Sequence, residues 1–423
     1  MKKVLFLTSR LPYPATSGRK NVMYNYCRIL NEKIGYKIVN VSFLESGDDI
    51  KLKPDFIDKT YELKKISMKT KVINIIKKTI LGKSFPLQVS LYWSRKTKKE
   101  IDRILKEEKP DIVISDMIRM SEYLKNYEGY KISNLDDLIS IRYNRQLKVD
   151  INLINPYGAY LYTLPKSIQK IISINFIKRL ILNKEIKLIK KYENNIAKEY
   201  DNIIFVAEKE AKIINSKIGQ EKALAVPLGV DIDYFSEYYN KLQVDEDSIV
   251  FLGVMNVAHN ETAVINFIKN IFPIILKSKP DIKFYIVGSG VTERLKQYSS
   301  KNIIFTGRVD DVRMYVGKCK VFICPLIFGS GIKTKNLEAM AMGIPIVTTS
   351  IGAENIHAKN GEEWLIADSD QDFAKAIVSL IDDRDLYEKI QKNALKFVSD
   401  NFTWSIAEKR LKKMLMKKFE NNL

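Results

Sequence analysis

The chain has 423 residues, 46% hydrophobic and 28% charged, and carries 70 Lys and Arg against 50 Asp and Glu for a formal charge of +20. That length exceeds what one hydrophobic core usually supports, so two domains are expected, and the composition excludes a disordered or fibrous chain. With three cysteines in no Cys-x-x-Cys pair and two histidines, His259 and His357, a disulfide framework and a histidine-based metal centre are excluded too.

The apolar opening Val4-Leu5-Phe6-Leu7 stops at Thr8-Ser9-Arg10, short of a secretory core, and Pro12 and Pro14 follow. Val4–Thr8 is therefore expected as a buried first strand. Ile38–Phe43, Asp111–Ser115, Tyr130–Asn134 and Asn202–Val206 read the same way, being β-branched and bounded by turn or polar residues. Helical patterns such as Val22–Lys33 and Ser94–Glu107 lie between them. The alternation then restarts with strands at Ser248–Leu252, Lys283–Val287, Asn302–Phe305, Val321–Cys324 and Ile344–Thr348. Glu261–Ser278, Val312–Gly317 and Lys335–Met342 are the intervening helices. Strands alternating with helices imply parallel sheets joined by crossovers, hence two doubly wound α/β domains. Pro227 to Asp231 and the acidic patch Asp245-Glu246-Asp247 are expected to link them. No stretch reaches the roughly 20 apolar residues of a membrane span, and a cytoplasmic protein is expected.

The charge is uneven. Residues 1–240 carry +16 and the remainder +4. From Lys64 to Lys99 there are eleven basic residues and no acidic one, and Lys166–Lys191 is relieved only by Glu185. Such fields attract phosphates, anionic lipids or nucleic acid; a Lys-rich compositional bias produces the same excess. In Lys69–Lys83, Ile and Val are spaced among lysines as in an amphipathic helix, either lying on a bilayer or packed on its own domain. The lysines sit on helical patterns rather than among exposed aromatics, so nucleic acid is not the expected partner.

The strand Val321–Cys324 leads through Pro325 to Gly329-Ser330-Gly331-Ile332-Lys333-Thr334 and a helix from about Lys335 that carries Glu338. Strand, glycine loop and helix start present unpaired backbone N–H groups and a partial positive charge, which suits a diphosphate. Lys333 and Lys335 add full charges there. Glu338, one turn into the helix, suits a pair of hydroxyls such as those of ribose.

Residues 248–404 resemble the C-terminal domain of the retaining glycosyltransferases of family 4, which have the GT-B fold. The matching residues include Gly253-Val254-Met255 with Asn260, Ile286-Val287-Gly288, Phe305-Thr306-Gly307-Arg308-Val309, Pro325 through Thr349, and Gly352-Ala353-Glu354. Pro227–Phe235, Thr8–Pro14 with Ser17-Gly18, and Asp136-Asp137 extend the likeness over nearly the whole chain. The resemblance implies two Rossmann-like doubly wound parallel-sheet domains facing across a cleft. It places an acceptor-binding domain at 1–225, completed by a C-terminal helix at 405–423, and a nucleotide-sugar domain at 226–404. It implies a metal-independent, retaining transfer from a nucleotide sugar to a hydroxyl of a glycan or lipid-linked acceptor. Bacterial cell-surface polysaccharide or glycolipid synthesis follows, with no cofactor and a peripheral place at the inner face of the plasma membrane.

By the same resemblance Glu338 holds the ribose, backbone at Arg308 and Val309 meets the base, and Gly331, Ile332 and Thr334 meet the distal phosphate and sugar. Gly18 and Gly253 approach the donor. Ser330 stands where many relatives have a glutamate to the transferred sugar, and Met255–Asn260 lacks their Arg and Lys. Lys333 and Lys335 are then the expected catalytic cations. Asp116, past the strand Asp111–Ser115, is a further catalytic candidate or a helix cap. His259 is either a group facing the donor or a turn residue. Tyr157, Tyr160 and Tyr162 suit an acceptor or a core. A GT-B epimerase, a non-catalytic GT-B partner subunit and a polyanion-binding protein are the alternatives.

Overall fold

The computed structural model describes residues 1–15, 18–45, 47–148, 166, 169–170, 173–239, 241–329 and 331–420. By its internal contacts the chain divides into two units. One is Met1–Ile141, Asn183–Gly229 and Trp404–Leu423; the other is Arg142–Leu182 and Val230–Thr403.

In the first unit the described residues form a seven-stranded parallel sheet. Its strands are β1 (Lys3–Thr8), β2 (Lys37–Phe43), β3 (Lys59–Leu63), β4 (Ile112–Asp116), β5 (Lys131–Asp136), β6 (Asn202–Phe205) and β7 (Ala223–Ala225). The order is β3-β2-β1-β4-β5-β6-β7, with Val4 opposite both Ile38 and Ile112. The chain reverses its direction of winding between β1 and β4, and helix α1 (Gly18–Arg28) leaves β1 there. Val4 to Leu7 and Ile112 to Ile114 are fully buried, as continuous apolar runs covered on both faces must be.

The second unit carries β8 (Asp245–Leu252), β9 (Lys283–Val287), β10 (Ile303–Gly307), β11 (Cys319–Cys324), β12 (Ile346–Thr348) and β13 (Leu365–Ile366). Their order is β10-β9-β8-β11-β12-β13, again parallel, with the switch between β8 and β11. Phe251, Phe267, Phe272, Phe284 and Phe373 centre its core.

Three expectations need correction. Asp245-Glu246-Asp247 is not linker but the start of β8, where Lys283, Lys320 and Lys279 pair with the three carboxylates in turn. Strands β3, β7 and β13 were not expected; they are short edge or near-edge strands of mixed composition, held by a neighbouring strand rather than by their own pattern. The segment Arg142–Leu182, expected in the first domain, groups with the second unit, where Arg145 makes a bidentate pair with Glu354. The helix Trp404–Glu420 groups with the first unit and buries Ala407, Leu411, Met414 and Leu415.

Candidate functional site

At the C-terminal ends of the second sheet, several loops converge for reasons legible in their glycines. Gly288 has φ +133°, and a Cβ on it would lie 1.9 Å from the Gly253 carbonyl oxygen. Only glycine lets the loops after β8 and β9 touch. A Cβ on Gly253 would in turn meet Asn260 Nδ2 at 2.8 Å and Lys335 Nζ at 3.2 Å. The two loops and the helix α2 (Thr334–Ala341) therefore meet at one point.

Lys335 occupies that point. Its Nζ donates to Asn260 Oδ1 at 2.8 Å and lies 4.0 Å from the Phe251 ring centroid. Asn260, in the helix α3 (Ala258–Asn266), is itself oriented by donating from Nδ2 to the Val254 carbonyl at 3.0 Å. Burial, reinforced by neighbouring Lys333, lowers the Lys335 pKa to about 8, against Cys324 and Glu338. Glu338 lies one turn further along α2, and burial raises its carboxyl to about 7 despite the attraction of Lys335. Among the described residues its carboxylate makes no hydrogen bond. A half-buried cation and carboxylate that hold their charges reluctantly are poised to gain from a ligand of the complementary type.

Lys333 occupies the N-cap position of α2 and is buried; its Nζ donates back to the Gly331 carbonyl at 2.7 Å. Gly329 and Gly331 take φ of +149° and +70°, conformations that favour glycine. Ile332 and Thr334 are half-buried beside them, and Ser330 lies outside the described residues. His259 stands in the first turn of α3, edge-on to Phe328 with centroids 6.4 Å apart. Burial, then Lys335, Lys333 and Arg142, depress its pKa to about 3, so the imidazole is neutral. At the end of β10, Gly307 has φ +69°; beyond it Arg308 is exposed and Val309 half-buried. Backbone donors at a helix start, a cation and a carboxylate one turn on can hold a diphosphate and a pair of vicinal hydroxyls.

The first unit places Gly18 as the exposed first residue of α1; Ser17 and the tyrosines 157, 160 and 162 lie outside the described residues. Asp116 ends β4 at the N-cap position of a short helix yet caps nothing. Instead Arg19 of α1, which sequence reasoning missed, donates to Asp116 and, at 2.8 Å, to Asp136 at the end of β5. Burial opposes the Arg19 charge, but Asp116 and Asp136 overrule it and hold its pKa above the usual range. Asp116 is buried, whereas the Asp136 side chain is 30% exposed. Met117 and Asp136 both have positive φ, 62° and 71°, a strain that concentrates at functional loops. The available signal was two acidic residues ending adjacent strands opposite an Arg that opens a helix.

Residues 246–383 match the family described as Glycosyl transferases group 1. The chain is 25% identical over 417 residues to an uncharacterized 44.6 kDa protein in the cps region of Klebsiella pneumoniae, covering 95% of this chain and 97% of that one. It is also 25% identical over 233 residues to the capsular polysaccharide biosynthesis glycosyltransferase CapM of Staphylococcus aureus, covering 50% and 60%. Among solved structures, sucrose-phosphate synthase of Thermosynechococcus elongatus superposes with a TM-score of 0.69 at 12% identity, over 99% of this chain and 100% of that one. HepE of Anabaena in complex with UDP-glucose does so at 0.63 and 13%, over 99% and 100%. The fold is GT-B, and the chain is a glycosyltransferase.

Proposed function

We propose that this glycosyltransferase moves a sugar from a nucleoside-diphosphate sugar to a hydroxyl of a glycan or lipid-linked acceptor, with retention of configuration, as family 4 enzymes do. The observation that carries this reading is the convergence on Lys335: cation, Asn260, helix start and Glu338 at the C-terminal ends of β8 and β11. Lys335 and the start of α2 neutralise the diphosphate, with Lys333 beside them. Glu338 accepts hydrogen bonds from the two ribose hydroxyls, and the strand end at Gly307-Arg308-Val309 meets the base. Gly253 admits the donor by its lack of a side chain. Neutral His259 accepts or donates a hydrogen bond at the transferred sugar, where Ser330 supplies no carboxylate. The sugar C1–O bond to the diphosphate breaks, a C1–O bond to the acceptor forms, and the acceptor proton leaves with the nucleoside diphosphate. Developing negative charge on that leaving group is met by cations already in place, so the step requires neither metal nor cofactor. In the first unit, the ion-paired trio of Arg19, Asp116 and Asp136 is the candidate for contact with the acceptor.

The complex of HepE with UDP-glucose supports the donor class, and the capsular polysaccharide role of CapM supports a cell-surface polysaccharide as product. The test is to incubate the protein with UDP-, GDP-, ADP- and dTDP-sugars and lipid-linked glycan acceptors, with and without EDTA. Release of nucleoside diphosphate that survives EDTA, with a product of the donor's anomeric configuration by NMR, is expected. An inverted product or abolition by EDTA contradicts retention or metal independence, and no release from any donor contradicts the reading.

A further inference from the structure

The segment Met68–Asn74 and the π-helical turns Ile75–Leu81 that continue it are built inside out. Facing the protein is polar Asn74, whose Nδ2 donates to the carbonyls of Ser90 at 3.1 Å and Trp93 at 2.7 Å. Thr79 Oγ1 sits 2.7 Å from Ser90 Oγ, also inward, and Lys78 Nζ covers the Phe85 and Trp93 rings at 4.2 and 4.1 Å. The opposite face carries Met68, Val72, Ile73, Ile76, Ile80 and Leu81, each between 41% and 71% exposed. A helix packed on its own domain shows the reverse distribution. Isolated exposed apolar residues are ordinary; a contiguous stripe of them along one helical segment marks an interaction surface.

Charge identifies the occupant. Lys64, Lys65, Lys69, Lys77 and Lys83 are exposed around the stripe, and no acidic residue occurs from Lys64 to Lys99. A second copy meeting face to face would set these rims against each other. An anionic surface with an apolar interior satisfies both features, the lysines reaching headgroup phosphates while the stripe enters the acyl boundary. Among the described residues no helix is long and apolar enough to cross a membrane, so the segment would lie in the interface and not span it. We propose that Met68–Leu81 is an interfacial anchor that docks the protein on an anionic phospholipid bilayer. The anchor does not involve the donor-site residues, and its test uses no nucleotide.

The test is co-sedimentation of the full chain with vesicles of phosphatidylcholine alone or with one third phosphatidylglycerol, at low and high salt. Binding to anionic vesicles at least tenfold tighter than to neutral ones, weakened by salt, is expected. The double variant Ile76→Asp, Ile80→Asp should lose at least tenfold of that binding with unchanged circular dichroism and melting temperature, because both positions are exposed. Replacing exposed Ser84 by Asp, off the stripe, should cost much less. Equal or absent binding to the two vesicles, or a double variant that binds as the parent does, overturns the proposal. So does sedimentation velocity showing a dimer of the parent that the double variant dissolves, or capture of an acidic protein that competes with vesicles.

Discussion

Glu338 and Lys335 make opposite demands on pH. The Glu338 carboxyl at about 7 lies above its ordinary 4.5, so the unfolded chain ionises it first and its charge opposes folding. That cost is absent below the unfolded value and complete above about pH 7. Glu338→Gln is therefore expected to raise the melting temperature at pH 8 by a few degrees, and to change it little at pH 5, while weakening nucleotide binding. Stability surrendered at a ligand site is a common trade. Lys335 at about 8 lies below its ordinary 10.5, so the free protein sheds this proton above pH 8. A bound diphosphate restores the proton. Calorimetry in buffers of different ionisation enthalpy should then show proton uptake on binding between about pH 8 and 10, and affinity falling as pH rises. Lys335→Met should abolish the uptake and weaken diphosphate binding about 10- to 100-fold at pH 7, from the roughly 1.5–3 kcal/mol of a hydrogen bond to a charged group.

Elements meet at this site because their connecting loops lack side chains. Gly288→Ala would place a methyl against the Gly253 carbonyl in a backbone conformation unsuited to alanine. A loss of more than about 2 kcal/mol in urea unfolding is expected, together with loss of nucleotide binding. Gly253→Ala is milder in stability but displaces the Asn260–Lys335 pair, so binding should fall more than stability. In the first unit, α1, β4 and β5 are joined through Arg19. Arg19→Ala leaves Asp116 buried without its cation, at an expected cost of about 3–5 kcal/mol; adding Asp116→Asn should recover part of it in a double-mutant cycle.

Across the whole molecule, what was legible in the sequence is what is local. The β-branched runs of β1, β2 and β4 and the restart at β8 announce two parallel sheets without help from tertiary structure. Strands β3, β7 and β13 escape because a partner strand, not their own residues, makes them strands. Asp245 to Asp247 read as linker because the lysines that pair with them lie on later elements. The site divides the same way. Gly329 to Glu338 is a contiguous word, so its glycine loop and helix start could be read directly. The Asn260–Lys335 hydrogen bond joins residues 75 apart, and Arg19 reaches Asp116 and Asp136 across 97 and 117. No one-dimensional pattern shows such pairs. The C-terminal helix Trp404–Glu420 is long-range too: it closes over the first unit, where Leu411 is fully buried. Leu411→Ala should cost about 2–5 kcal/mol, read in the transition of that unit by calorimetry.

The central claim, that the start of α2 with Lys335 and Glu338 holds a nucleoside diphosphate, is tested most directly by titrating UDP, GDP, ADP and dTDP, calorimetrically, into the parent protein and Glu338→Ala. At least one nucleotide should bind the parent in the presence of EDTA, with affinity reduced tenfold or more by the substitution. Binding by none of them, or binding that Glu338→Ala leaves unchanged, would contradict it.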